Sequence, residues 1–410
     1  MVDGAHGDAC ALAMRIVVRL ARVLGARGLV EVMSAHVDSC LLHGQVSLDF
    51  VDSLVELGGR VVVPTTLNVG SLDLMHPENV RASPARRTSA RALMDAYVAL
   101  GATPTWTCAP YQLPNRPRLG EHVAWAESNA IVFANSVLGA RTGRYGDFFD
   151  VCAALTGRAP DAGLHRTENR RGQVLFDCSA LPETLLRIDA AWGALGHVVG
   201  RATDQRVPVL AGLPAGASED QLKALGAAAA SSGGVGLFHA VGLTPEALTV
   251  VEAFQGTQPD EPIVVTVDRL RAARDELSTE ADGRLDAVSL GTPHFSLTEF
   301  AELAELIADG RGFHPDIDFW VSTSRQVLAE AETRGYVAPC REAGVKILVD
   351  TCTYVTTVLH HRVRSVMTNS AKWAWYAPAN LGVDVVLASL EECVHSAQAG
   401  RVVRDEALWS

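Results

Sequence analysis

Residues 46–68 read VSLDFVDSLVELGGRVVVPTTLN. Apolar side chains at helical spacing over Val46–Leu57 predict a helix, Gly58-Gly59 stops it, and the unbroken valines of Arg60–Pro64 predict a strand buried on both faces. Polar Thr65, Thr66 and Asn68 come next, at the carboxyl end of that strand. The same order of helix, glycine and strand precedes this stretch, as Ala9–Leu24 running into Leu29–Met33. It follows it too, as Ser83–Leu100 into Thr103–Trp106 and Glu121–Asn129 into Ala130–Ala134. Strands alternating with helices assemble into a parallel sheet with helices on its faces, so the fold class is α/β.

Asp147–Asp177 breaks the cadence. It is rich in Gly, Arg and His and poor in long apolar runs, which predicts an extended loop beside an active site. Beyond it the alternation resumes. Pro182–Val199, Glu219–Ala229, Pro245–Phe254, Val267–Glu276, Ser296–Ala308, Arg325–Arg334 and Leu390–Ala399 read as helices. Val207–Ala211, Val235–His239, Pro262–Thr266, Asp286–Leu290, Asp316–Trp320, Val345–Val349, Val363–Val366 and Val383–Leu387 read as strands. The division expected is an N-terminal α/β region, 1–181, carrying the loop 147–177, and a C-terminal α/β region, 182–410.

Composition excludes several classes of function. The 410 residues carry 35 Lys+Arg against 47 Asp+Glu, a formal net charge of −12, and no basic run exceeds two residues, so no nucleic-acid partner is expected. With 48% apolar and 20% charged residues the chain is globular rather than disordered. No apolar run approaches the ~20 residues of a membrane span, and the acidic N-terminus has no signal-peptide pattern, so a cytoplasmic protein without membrane attachment is expected. Eight cysteines at 10, 40, 108, 152, 178, 340, 352 and 393 include no CxxC pair, which leaves neither a disulfide framework nor a zinc finger. No Walker loop and no GxGxxG follows a strand, so no nucleotide cofactor is expected.

Ligands of parallel α/β sheets bind beyond the carboxyl ends of strands. Polar segments in that position are SAHVD (34–38), PTTLN (64–68), TCAPY (107–111), GTPHFS (291–296), DTC (350–352) and MTNSAK (367–372). They bring two Cys, two His, Asp, Asn and Lys to one rim. Taken singly, each has a plainer reading: Cys108 and Cys352 suit small hydrophobes closing a strand, His294 suits a helix cap, and Lys372 suits a solvated helix residue. The GLHRTENRRG segment (163–172) suits either a loop with internal salt bridges or a clamp for an anion.

SAHVDSCLLHG (34–44), VPTTLNVGSLDL (63–74), TCAPYQLPNRPRLGEHVAWAESNA (107–130), LGTPHFSLTEF (290–300), LVDTCTYV (348–355) and MTNSAKWAWYAPANLG (367–382) resemble the catalytic large domain of the aconitase X family, as does nearly the whole chain. The resemblance implies the large fragment of the aconitase superfamily, with parallel βα units in two or more α/β subdomains around a central cleft. It implies a hydro-lyase that dehydrates a small β-hydroxy acid, with cis-3-hydroxy-L-proline giving a pyrroline-2-carboxylate as the leading substrate. Mevalonate 5-phosphate or a specialised metabolite is the alternative, and a catalytically silent binding or regulatory subunit the alternative of another class.

Iron is the implied cofactor, as a two-iron or four-iron iron-sulfur cluster or a mononuclear ion, with Cys108 and Cys352 as ligands. Relatives often carry Cys where this chain has Thr292, so the third ligand is open between Cys40, a His and solvent. His36, Asp38, Glu127 and Lys372 are the catalytic candidates. Thr65, Thr66, Asn68, Ser128, Asn129, His165, Arg170, Arg171, His294, Asn369 and Ser370 are the substrate-binding candidates. Fused family members run well beyond 410 residues, so the resemblance also implies a separately encoded small swivelling subunit as partner, contributing a serine to proton transfer.

Overall fold

The computed structural model describes residues 1–280 and 283–409. Its first region holds β1 (Leu29–Glu31), β2 (Ala35–Val37), β3 (Thr65–Leu67), β4 (Ala124–Trp125) and β5 (Arg158–Pro160). Parallel β3-β2-β4 form a sheet in which His36 lies opposite Thr66 and Trp125, while β1 and β5 pair antiparallel beside it. A second parallel sheet has the order β8-β7-β6-β9, from β6 (Val174–Asp177), β7 (Pro208–Ala211), β8 (His239–Ala240) and β9 (Ile263–Val264). This sheet spans residue 181, because β6 precedes it and the other three strands follow. A third, of order β12-β11-β10-β13-β14, comprises β10 (Ala287–Phe295), β11 (Asp318–Thr323), β12 (Val345–Val349), β13 (Ser365–Thr368) and β14 (Asp384–Leu387). Among the described residues no helix is long and apolar enough to cross a membrane.

The third sheet follows the sequence pattern most closely. Every residue of β10 is buried, as expected of a central strand with helices on both faces. Serines at the strand exits start the flanking helices: Ser296 and Ser389 each accept from the backbone N–H three residues on, and Glu299 and Glu392 close the capping box. Strand Val345–Val349 and helices Val267–Glu276 and Leu390–Ala399 occupy the residues their patterns predict.

The first region departs from its pattern. Val61–Val63 are not a strand. Their backbone N–H groups go to helix ends rather than to a neighbouring strand, Val61 to Leu100 and Val62 to Ala154. Pro64 lacks an N–H, and its carbonyl accepts the first ladder bond, from Ala35 (2.9 Å), so the strand begins at Thr65. Ala130–Ala134 is helical, within Ser128–Ser136, because the Glu127 carboxylate caps the Ala130 N–H; a helix buried all round shows no period. The helix expected before it is instead β4 and its flanks. Pro245–Phe254 contributes one turn, Val250–Ala253, fixed by the Thr249/Glu252 capping box. Residues 147–177 are not one loop: they contain helix Phe149–Thr156, β5 and β6.

The carboxyl ends of the first and third sheets meet. Gly70 N–H donates to the Asp350 carbonyl (2.7 Å), and the buried Asp73 carboxylate accepts from Val349 N (3.2 Å). In return Asp350 accepts from Leu74 N (3.1 Å) while Arg325 grips it through two contacts of 2.6 Å. These bonds tie the segment after β3 to the segment after β12, and so bring Asn68 and Cys352 to one place.

Gly291 shapes the third sheet's contribution. Its φ is +84°, and a Cβ there would lie 2.0 Å from the Ser322 carbonyl oxygen. The register between β10 and β11 shifts between Leu290 and Phe295, so this glycine begins the irregular end of β10 that carries Thr292 and His294. Gly291→Ala is expected to lower stability by about 3 kcal/mol or more, read by denaturant unfolding.

Candidate active site

A cavity of about 400 Å3 opens where these strand ends converge. Of the residues singled out in the sequence, Asp38, Asn68, Cys108, Glu127, Ser128, Cys352 and Lys372 line it, together with Thr292. They come from the segments that follow β2, β3, β4, β12 and β13, from the end of β10, and from the turn that follows Trp106.

Two helices start at this cavity. Helix Ser128–Ser136 is capped by Glu127, held at φ 73°, and helix Ala371–Leu381 by Ser370. Lys372, in the first turn of the second helix, donates to Glu127 and, at 3.2 Å, to Ser128 Oγ. Lys372 is 3% and Glu127 7% exposed. Burial opposes charge on both, but each holds the other ionised: Glu127 lies below the usual carboxylate range despite burial, because Lys372 and the Ala130 amide outweigh it. Burial likewise works against the Lys372 ammonium, and the Glu127 charge carries its pKa well above the ordinary lysine value.

Cys108 and Cys352 face the same space. Burial first, then the Glu127 carboxylate, drives the Cys108 thiol far above its ordinary value, and the Cys352 sulfur adds to the effect. Burial pushes Cys352 up to about 12. Two thiols in this state stay protonated unless a cation binds the sulfurs and displaces the protons to solvent. The His294 backbone N–H already points at Cys108 Sγ (3.2 Å). Thr292 Oγ1 is buried in the same wall with no protein hydrogen-bond partner. Among the described residues no group of three or more His, Cys, Asp or Glu side chains is arranged to hold a metal ion. Cys40, the other thiol considered, does not line the cavity: its Sγ lies against the Val37 and Asn68 carbonyls (both 3.4 Å).

Asp38 lines the same cavity. Burial first, then the charges of Glu127 and Asp147, raise its carboxyl to about 7, against the hydrogen bond from Asn68. Asp150, fully buried behind it, accepts from Ser39 N and Ser39 Oγ and fixes the turn.

Several candidates serve as scaffold. His36 is completely buried and does not line the cavity; its Nδ1 is bonded to Thr66 Oγ1 (2.8 Å), its Nε2 has no hydrogen-bond partner among the described residues, and burial lowers it to about 3, which favours the neutral ring. Thr66 is thereby occupied, and Thr65 donates to the Val63 carbonyl (2.8 Å). Asn129 donates to Glu127 Oε2 (2.8 Å) and to the Cys108 carbonyl (2.6 Å), and accepts from Tyr111 (2.7 Å), so it braces the site from behind. His294 sits between Thr107 Oγ1 (3.0 Å) and the Thr351 carbonyl (3.2 Å), linking the two cysteine-bearing segments. Asn369 donates to Asp189 (2.9 Å), and Ser370 Oγ donates to the Thr292 carbonyl. Both border a neighbouring cavity of about 100 Å3 that shares Thr292 and Lys372 with the first.

The cations expected to clamp a carboxylate do not line the cavity. Arg170 is 1% exposed and spends its guanidinium on Glu246, the Leu164 carbonyl and both Asn135 oxygens, tying the second sheet's region to helix Ser128–Ser136. His165 is buried among His122 (2.9 Å) and Tyr145, with burial lowering it to about 3, and Arg171 is exposed. The short sequence distance among these residues reflects a local packing knot.

His43, Asp147, Tyr354, Tyr376 and Asn380 also line the cavity. Sequence reasoning missed them. His43 and Tyr354 lie in the LLHG and DTCTYV strings, a few residues past the polar groups the strand-end rule selects. Asp147 pairs with His43 at 3.3 Å across about a hundred residues of chain, which no local pattern reports.

Family models match three consecutive stretches: the aconitase X first domain at residues 1–168, the second at 172–275 and the third at 285–399. These stretches contain the three parallel sheets in order. The chain is 44% identical to the cis-3-hydroxy-L-proline dehydratase of Pseudomonas aeruginosa, over 100% of this chain and 70% of that protein. It is 41% identical to the enzyme of the same name from Hypocrea jecorina, over 97% and 67%. The phosphomevalonate dehydratase large subunit of Methanothermobacter thermautotrophicus is 37% identical, over 94% of each chain. The crystal structure of Thermococcus kodakaraensis aconitase X (holo-form) superimposes with a TM-score of 0.85 at 32% identity, covering 97% of each chain. The chain belongs to the aconitase X family.

Proposed function

We propose that this chain is the catalytic large chain of a hydro-lyase that removes water from cis-3-hydroxy-L-proline to give a pyrroline-2-carboxylate. The observation that carries the choice of substrate is the charge of the cavity wall. No arginine among the described residues lines it, its lysine is paired with Glu127, and Asp38 and Asp147 add negative charge. Such a wall repels a phosphate monoester and accepts an amino acid, whose carboxylate and ammonium are both present at neutral pH. The names of the Pseudomonas and Hypocrea relatives support the same substrate.

Lys372 and the two helix N-termini receive the substrate carboxylate and stabilise the negative charge that builds on it as the α-proton leaves. Glu127, kept ionised, accepts protons at this wall and keeps Lys372 in place. Cys108 and Cys352 would hold iron, which fits the buried thiol pair and the amide aimed at Cys108 Sγ. When bound, iron supplies a Lewis acid that eases departure of the hydroxyl. A separately encoded small swivelling subunit would cover the cavity; the archaeal relatives are named as large subunits.

Three results are expected. The anaerobically prepared, iron-loaded protein, assayed with its candidate small subunit, dehydrates cis-3-hydroxy-L-proline and not mevalonate 5-phosphate; the reverse preference refutes the substrate assignment. Lys372→Met lowers kcat by about two orders of magnitude or more. In denaturant unfolding the same change costs about 3–5 kcal/mol by stranding Glu127, and Glu127→Gln on top of it recovers part of that loss rather than adding to it.

A further inference from the structure

Asp38 follows β2 and Asn68 follows β3, neighbouring parallel strands in register at Val37 and Leu67, so the fold sets the two side chains together at the cavity wall. Asn68 Nδ2 donates to Asp38 Oδ1, which fixes the orientation of the amide. The amide's carbonyl oxygen is then left without a donor, on a residue only 2% exposed. Among the described residues the hydrogen bond to the Asp38 carboxylate goes to Oδ1, which leaves Oδ2 open toward the cavity. A buried acceptor without a donor is destabilising, and Asn68 Oδ1 beside the half-buried Asp38 carboxylate defines on this cavity wall the shape of what would satisfy them. Glu127, Asp147 and Asp150 add negative charge around Asp38, and the His43 ring on this wall is turned to Asp147.

We infer that Asp38 and Asn68 form the seat for the substrate's ring nitrogen, a secondary ammonium whose two N–H groups donate to Asp38 Oδ2 and Asn68 Oδ1. The chemistry matches in charge and in number, since a secondary ammonium carries two donors, one for each open acceptor. The zwitterion then spans the cavity, carboxylate on Lys372 and nitrogen on the Asp38 wall, which presents the ring carbons between them toward Cys108 and Cys352. The seat makes Asp38 a specificity-determining residue rather than a proton relay with His36. The inference rests on the substrate proposed above, and deepens it by naming the group that is recognised.

The test compares two ligands that differ at one ring position, L-proline and cyclopentanecarboxylate, in which CH2 replaces NH2+. Binding of each to the iron-loaded protein with its small subunit is measured by calorimetry at pH 8. The wild type is expected to bind L-proline tighter by roughly tenfold or more, the worth of a charge-assisted pair of hydrogen bonds. Asp38→Asn should bring the ratio to within about threefold while affinity for cyclopentanecarboxylate holds. Equal affinities in the wild type, or an unchanged ratio in the variant, overturn the seat, and the wild-type comparison decides alone if the variant does not fold. Turnover of cis-3-hydroxy-L-proline without discrimination overturns the seat only, whereas discrimination without turnover supports the seat and overturns the assigned reaction.

Discussion

The buried ion pair between Lys372 and Glu127 is the constraint on which the site depends. It joins residues 245 positions apart and spans the junction between the first and third sheets. Two charges leave water to make it, at a cost that only close partners offset. The partners are unequal by design. Glu127 caps a helix, where the unsatisfied amides and the macrodipole favour a carboxylate, while Lys372 sits in the first turn of another helix, where a cation is disfavoured. Lys372 therefore depends on Glu127 more than the reverse. Anything that separates the sheets strands the lysine first.

The rest of the site follows from that junction. Asn129 links Glu127 to the carbonyl of Cys108, and His294 bridges the Thr107 hydroxyl to the Thr351 carbonyl, one residue before Cys352. The ion pair, the thiols and the irregular end of β10 thus form one hydrogen-bonded body whose members arrive from three stretches of sequence. A neutral imidazole suits this bracing role, because His294 must donate from one nitrogen and accept at the other. Burial, which lowers His294 to about 4, maintains that state.

Much of this was legible in the sequence, for a physical reason. Parallel strands bury both faces, so they announce themselves as apolar runs, and their carboxyl ends are where a polar residue has a purpose other than solvation. Cys108, Cys352, Lys372, Asp38 and Glu127 were found that way or through the family resemblance, and all line the cavity. The rule fails where a polar side chain at a strand end serves the fold. Thr66 and Asn369 carry the same signal as Asp38, yet each is consumed by a protein partner, and His36, bonded to Thr66 through Nδ1, is buried outside the cavity lining. Arg170 shows the converse: density of Arg and His in GLHRTENRRG suggested an anion clamp, but Asn135 and Glu246, far away in sequence, had already claimed the guanidinium. In the first region Pro64 displaced a strand by several residues, and the run Ile131–Ala134 looked like a strand only because a helix buried on every side loses its period.

Cys108 and Cys352 share one wall and belong to a body that nothing in either local sequence specifies. Iron bound by both is the central claim, and iron K-edge absorption of the anaerobically loaded chain tests it most directly. The account predicts cysteine sulfur in the iron's first coordination shell and loss of bound iron in Cys108→Ser and in Cys352→Ser alike. Iron retained at the wild-type ratio with unchanged sulfur coordination in either variant would contradict it.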